Sequence, residues 1–258
     1  MGSVTARIEQ TRQPRGGYIS PKALLIRQLG GGIPRPLDHT VENMRPNLVG
    51  SAVDYLARLA SGAEPRDAFK VSLKGALLLG KAAHKVALSD VALLVPGRVD
   101  AAAIAAACRL VAYDVALRAG PSLYNPETQT SPDAVTAEHI TVMVERSAAF
   151  LREYGPVILD GFTFVGGYTD DVDSGDGDIL TADTVWDFKV SVSRPTNKHT
   201  LQLLMYYLMG RHSGRPQFDS ITHLGVFNPR LNIVYRVALA DVPAEIIMEV
   251  SRNVIGYR

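Results

Sequence analysis

The sequence predicts an α/β protein, with a helical N-terminal portion packed on a mixed β-sheet core flanked by helices. Three observations lead there. Helical segments fill most of residues 19–155, the pattern changes after Tyr154 to short β-type runs, and one helix-forming stretch divides those runs into two groups. A helix between strands permits a crossover and so a parallel pair, which makes the sheet mixed.

Taken in order, residues 1–18 are polar, with Arg, Gln, Pro and a Gly pair, and read as a flexible tail. Ser20-Pro21 sets an N-cap before a proline at the first helical position and predicts a short helix to Gln28. Residues 30–36 then break the chain with three glycines and two prolines. Helices are expected over 47–59, 65–81, 100–119 and 137–154, the last with Ile140, Val144 and Ala148 on one stripe. The segment 120–133, with three prolines, is a loop. Strand runs at 157–159 and 162–165 flank an Asp160-Gly161 turn signal. After a Gly/Asp-rich loop come strands at 178–180 and 185–192, a helix at 198–211, strands at 223–227 and 233–239, and a closing helix at 243–254. Residues 19–155 and 156–258 are expected to form one compact unit.

Composition narrows the function classes. At 47% hydrophobic and 21% charged, the 258-residue chain is in the globular range, which excludes disorder and fibres. Its longest apolar stretch, 77–94, is interrupted by Lys81, His84, Lys85 and Asp90, so no membrane span is expected. No basic-then-apolar leader is visible, and Ala6 stands where a myristoylation signal needs Ser or Thr. Cys108 is the only cysteine, which rules out an internal disulfide and cysteine-based zinc or iron–sulfur sites. A cytoplasmic protein is the expectation.

A net charge of +1 does not mark a nucleic-acid binder, but the charges are unevenly placed. Residues 160–183 hold seven aspartates and no Lys or Arg, whereas residues 186–236 hold seven Lys or Arg against Asp187 and Asp219. An acidic block beside a basic one suits a metal site next to a phosphate-binding surface.

The stretch that carries chemistry is Gly175-Asp176-Gly177-Asp178, then Trp186-Asp187-Phe188-Lys189, then Gln202 and Tyr206. Asp187 and Lys189 are two apart on an expected strand and so share a face, with Phe188 on the other. A hairpin between their strands brings Asp178 beside Asp187. Two carboxylates of this kind suit Mg²⁺ or Mn²⁺, which share phosphate oxygens with a substrate. The lysine ammonium can hold an attacking water and offset charge building on phosphorus. The segment 170–178 fails the register of a calcium-binding EF-hand, and no Walker loop, Gly-x-Ser-x-Gly elbow or paired zinc motif is present.

These motifs resemble the PD-(D/E)XK nuclease superfamily, in its RecB-like and phage exonuclease branch, over residues 157–239. Asp178, Asp187 and Lys189 match the family's aspartate and its (D/E)-X-K triplet. Gln202 and Tyr206 match the Gln-x-x-x-Tyr of the helix that follows. The resemblance implies a restriction-endonuclease-like core in which Asp178, Asp187 and the Phe188 carbonyl bind metal, Lys189 serves the nucleophile, and Gln202 buttresses the site. A further ligand is expected on an N-terminal helix. His84 fits the branch's Gly-x-x-x-His spacing, Asp54 is the acidic equivalent, and Glu145 is a third candidate, Asp54 being preferred. The proline of the family name is missing before Asp178, and the four-cysteine cluster of some RecB-like enzymes is excluded.

The expected activity is metal-dependent hydrolysis of phosphodiester bonds, in DNA before RNA, leaving a 5′-phosphate as the relatives do. Arg194, Lys198, Tyr206 and Arg211 are expected to line the substrate, and specificity to come from a protein partner or homo-oligomerisation. The rival from another class is a catalytically inactive nuclease-fold protein that binds nucleic acid or serves assembly. A plainer alternative leaves Asp178, Asp187 and Lys189 as solvated turn and strand residues.

Overall fold

A computed structural model of the chain describes residues 2–30, 35 and 37–258. Apart from Gly30 and Arg35, the expected break at 30–36 lies outside the described residues. The helices are α1 (Val4–Gln10), α2 (Pro46–Ala60), α3 (Pro65–Ala68), α4 (Lys70–Leu78), α5 (Lys81–Val91), α6 (Ala101–Leu110), α7 (Asp114–Arg118), α8 (Ala134–Tyr154), α9 (Asn197–His212) and α10 (Ala244–Glu249), which runs on as a π-helical turn over Val250–Ile255. The strands are β1 (Leu25–Gln28), β2 (Leu159–Thr163), β3 (Asp176–Leu180), β4 (Thr184–Phe188), β5 (His223–Asn228) and β6 (Ile233–Ala238). None of the described helices is long and apolar enough to cross a membrane.

The strands form one mixed sheet in the order β1-β6-β5-β4-β3-β2. Strands β2, β3 and β4 run as an antiparallel meander, α9 crosses over, β5 returns parallel to β4, and β6 and β1 continue antiparallel. Alternation along the strands sorts their side chains into two layers. On one face Leu180, Val185, Leu224 and Val226 meet Leu201, Leu204 and Met205 of α9. On the other, Ile179, Trp186, Phe188 and Phe227 meet Phe150 of α8, whose ring stacks on Phe227 at 4.3 Å between centroids. Gly225 is required here, because a Cβ on it would lie 2.3 Å from the Trp186 ring.

The helical portion has its own core, in which Val49, Val53 and Leu56 of α2 pack with Ile140, Met143 and Val144 of α8 and with Ala107 and Leu110 of α6. Asp133 caps α8 by accepting from the Thr136 N–H at 2.7 Å. A buried ion cluster fastens this portion to the β5–β6 turn. Arg230 donates to both Glu42 oxygens, at 2.7 and 3.0 Å, and to the Leu37 carbonyl, while His139 Nδ1 lies 2.9 Å from Glu42.

The structure corrects several expected elements. Residues 4–10 are not a flexible tail but helix α1, capped by Ser3, with Val4 and Ile8 buried one turn apart. Polar residues around that pair hid the stripe. Ser20 does cap, but only a 3-10 turn over Pro21–Ala23. Residues 25–28 then pair with β6 as an edge strand. The 65–81 helix is broken at Phe69, and α5 beyond it was not foreseen. Residues 100–119 divide into α6, a 3-10 turn over Val111–Tyr113, and α7. Asp160-Gly161 does not turn the chain but lies inside one strand, β2, where Gly161 takes φ +53° and kinks the strand without ending it.

Candidate functional site

The β3–β4 hairpin pairs Ile179 with Trp186 and Leu180 with Val185, so one step further along the register Asp178 opposes Asp187. Both carboxylates project on the α9 face, since the residues between them pack on the α8 face. Lys189 lies one residue past the end of β4. Its N–H donates to the Phe227 carbonyl at 3.0 Å, and its Nζ stands 3.0 Å from Asp187 Oδ1. The Phe188 N–H, which by alternation faces β3, donates to Asp178 Oδ2 at 2.8 Å. The Phe188 carbonyl faces the same way, while the ring packs against Phe150 and Phe227.

The Asp187 side chain is only 2% exposed, and its Oδ2 is buried with no hydrogen-bond partner. Asp178 lies within hydrogen-bonding reach of the Asp187 carboxyl. Two acceptors therefore face each other with no donor between them, an arrangement that a proton or a cation must relieve. Burial pushes the Asp187 carboxyl up to about 7, with the Asp178 charge adding to the shift and Lys189 opposing it. Burial works against the Lys189 ammonium, but Asp187, Asp178 and Asp54 outweigh it and raise its pKa above the usual lysine value. At neutral pH the lysine is charged, while burial favours the neutral form of the Asp187 carboxyl.

Asp54 projects from α2 toward this pair. Burial pushes it up to about 6, Arg58 opposes, and the Asp178 and Asp160 charges add to the rise. Its two oxygens accept from Arg58 at 3.2 and 3.1 Å, and the same guanidinium reaches Asp160 at 3.0 Å. Gly161 leaves room for that arrangement, since a Cβ there would lie 2.5 Å from Arg58 Nη1. Among the described residues no group of three His, Cys, Asp or Glu side chains is arranged to hold a metal. The site offers two carboxylates, with the expected third, Asp54, engaged by Arg58. Two still fit Mg²⁺ or Mn²⁺, because such ions take one or two protein carboxylates and fill their shell with water and substrate phosphate. The unpartnered Asp187 Oδ2 beside Asp178, with the Phe188 carbonyl on the same edge, is a donor set of that kind.

A cleft of about 690 Å³ opens at Asp178, bounded by Asp178, Phe188 and Lys189 from the sheet and by residues of α2 and α7 with Leu123, Asn125 and Thr128 from the helical portion. On its far side Lys189 also borders a smaller cavity, about 220 Å³, with Lys198, His199, Gln202 and Glu9. Burial, aided by the Lys189 charge, pushes the His199 imidazole down to about 4, and its Nδ1 accepts from the Thr196 N–H at 3.0 Å. Gln202 Nε2 donates to the Tyr206 hydroxyl at 2.7 Å.

Other expected residues stand elsewhere. Tyr206 is 4% exposed and stacked on Phe164, so it belongs to the core and steadies Gln202 rather than lining a substrate wall. Arg211 is nine residues beyond Gln202 on α9, about 13 Å along the axis, and pairs with Asp219 at 2.6 Å. Lys198 is held by Glu9 of α1. Arg194 is exposed after β4 and borders neither cavity, and His84 on α5 does not border the cleft. Glu145, on α8, does not border it either. Five of the seven basic residues in 186–236 are in ion pairs, which neutralises the basic block expected to meet phosphate. Besides Lys189, the cleft's cations come from the helical portion, as Arg45 and Arg118. The Asp54/Arg58 spacing of i, i+4 was a usable signal for the ion pair, whereas nothing in the sequence marked Arg118.

Comparison of the chain with known protein families, with characterised proteins and with solved structures gave no match.

Proposed function

We propose that this protein is a metal-dependent nuclease of the PD-(D/E)XK type, acting on phosphodiester bonds in DNA. One observation carries the reading: the buried, unpartnered Oδ2 of Asp187 beside Asp178, with a charged lysine 3.0 Å from the other oxygen, where Asp178 and Lys189 border a cleft. The order of elements supports it. The aspartate strand, the (D/E)-X-K strand, the Gln-x-x-x-Tyr helix and a further strand follow one another in one mixed sheet as the resemblance requires.

Asp178, Asp187 and the Phe188 carbonyl would hold Mg²⁺ or Mn²⁺. The bound ion would supply Lewis acidity to a phosphoryl oxygen and acidify a coordinated water. Lys189, kept protonated by its carboxylate neighbours, donates to the oxygens on which negative charge builds. Gln202, fixed at its amide nitrogen by Tyr206, leaves its carbonyl oxygen to accept from a water entering beside Lys189. The Phe188 N–H, by occupying one Asp178 oxygen, sets the orientation of that carboxylate.

A second reading, an inactive nuclease-fold subunit, draws on one observation: Asp54 is bound by Arg58 rather than turned free into the site. Incubation with linear, circular and single-stranded DNA and with RNA, in Mg²⁺ or Mn²⁺, separates the two. The nuclease reading expects cleavage that Lys189→Ala abolishes while metal binding by calorimetry persists. Wild type that binds metal yet cuts none of these substrates moves the inactive reading ahead.

A further inference from the structure

The cleft at Asp178 and Lys189 is lined by both charged and apolar side chains. Arg118 and Arg45 border it together with Asp178 and Lys189. Leu48, Val115 and Leu123 border it too, and Leu123 is 62% exposed. Cations for phosphate and apolar side chains in one cleft are what a nucleotide pocket offers, where a base taken from its stack lies against apolar side chains.

Arg118 is built into place. Asp114, 5% exposed, accepts from Ser72 Oγ at 2.6 Å and from the Tyr55 hydroxyl at 2.7 Å, and Arg118 Nη2 donates to that same hydroxyl at 3.3 Å. Arg118 Nε also pairs with Asp114 at 3.9 Å, while its side chain remains 55% exposed and borders the cleft. Arg45 precedes α2, is exposed, and has no ion-pair partner among the described residues. Size decides the form of the substrate. About 690 Å³ is the volume of a small-molecule pocket, and residues of α2 and α7 border it. A duplex, whose major groove alone is about 12 Å wide, is too broad for a pocket of this volume, whereas a single unpaired nucleotide fits one.

We infer that the cleft takes an unpaired DNA strand, with its phosphates against Arg118 and Arg45 and a base against Leu48, Val115 and Leu123. This rests on the nuclease reading of the Asp178–Asp187–Lys189 site and names its substrate class. The helical portion, not the segment after the motif, then provides the substrate's grip.

The test is fluorescence anisotropy with a labelled oligothymidylate and with a blunt duplex of equal length. Both titrations are run in EDTA so that binding is read without cleavage, and cleavage in Mg²⁺ is scored separately. The single strand should bind about tenfold tighter than the duplex. Arg118→Ala should weaken it about tenfold and Leu123→Ala about fivefold. Each lost phosphate contact should also reduce the slope of log affinity against log salt by about 0.7, which a merely structural role would not do. Arg45→Ala, at an exposed position, gives the same slope test if Arg118→Ala fails to fold. Equal affinity for duplex, wild-type affinity in the variants, or no binding to either DNA overturns the inference. A protein that cuts duplex DNA without preferring single strands keeps the nuclease reading and loses this one. One that binds single strands as described but cuts nothing does the reverse.

Discussion

In metal-free protein, replacing Asp187 by Asn should stabilise the fold at alkaline pH. The wild-type carboxylate must ionise while only 1% exposed and facing Asp178, which is why its pKa rises from 3.8 to about 7. A carboxyl whose folded pKa lies above its unfolded value favours the native state while protonated. That advantage is complete below the unfolded pKa, declines as pH rises from about 4, and is gone above about 7. A shift of about 3 units corresponds to at most about 4 kcal/mol. Asparagine is the neutral isostere, so at pH 8 in EDTA the variant should exceed wild type by up to about 4 kcal/mol, roughly 8–16 °C in Tm for a chain of this size. At pH 4 the two should coincide. Asp54, pushed up to about 6, contributes to the wild-type slope in the same direction and is unchanged in the variant. Urea melts from pH 4 to 8.5 measure this directly. Mg²⁺ added at pH 8 should restore wild-type stability in proportion to ln(1+[Mg²⁺]/Kd) and leave the variant unmoved. A wild type equally stable at pH 5 and 8, with Asp187→Asn the weaker protein at both, would refute the argument that two unrelieved acceptors face each other.

Three further outcomes follow from the packing. Tyr206→Phe removes the partner of Gln202 Nε2 and should cost about 1 kcal/mol in urea melts while lowering kcat more than it raises KM, because Tyr206 positions Gln202 rather than touching substrate; an effect confined to KM would restore Tyr206 to the substrate wall. Arg211→Ala breaks an ion pair whose side chains are 41% and 70% exposed, so stability should change by less than about 1 kcal/mol and DNA affinity not at all. Ile8→Ala should cost about 2–4 kcal/mol, since Ile8 is 7% exposed within the α9-side core; the melt of a loose tail would not move.

Much of the chain was open to reading from local pattern. The order of strands around α9, the α2 and α8 segments, and the placing of Asp178 and Asp187 on consecutive strands depend on periodicity and turn chemistry, which neighbouring residues carry; the second strand, expected over 185–192, ends at Phe188, one residue before Lys189. Where a pattern is short, it fails. Val4 and Ile8 are too few to mark a helix until α9 offers them a surface, and 25–28 becomes a strand only because β6 has an unpaired edge. Asp160-Gly161 has the chemistry of a turn, yet β3 on one side and Arg58 on the other hold it inside a strand.

That Asp178 and Asp187 take one sheet face follows from the order of residues once the hairpin forms in this register, because side chains alternate along a strand with a two-residue period, and Lys189 follows just past the strand end. What surrounds them was settled by packing between layers, which local pattern does not encode. Pairing of Arg58 with Asp160, burial of Tyr206 and the arrival of Arg118 at the cleft join residues from 58 to 206 in this way. Charge counted along the chain pointed to the segment after the motif. Folding neutralised most of that segment in ion pairs and brought Arg45 and Arg118 from the other half to the cleft that Asp178 and Lys189 border.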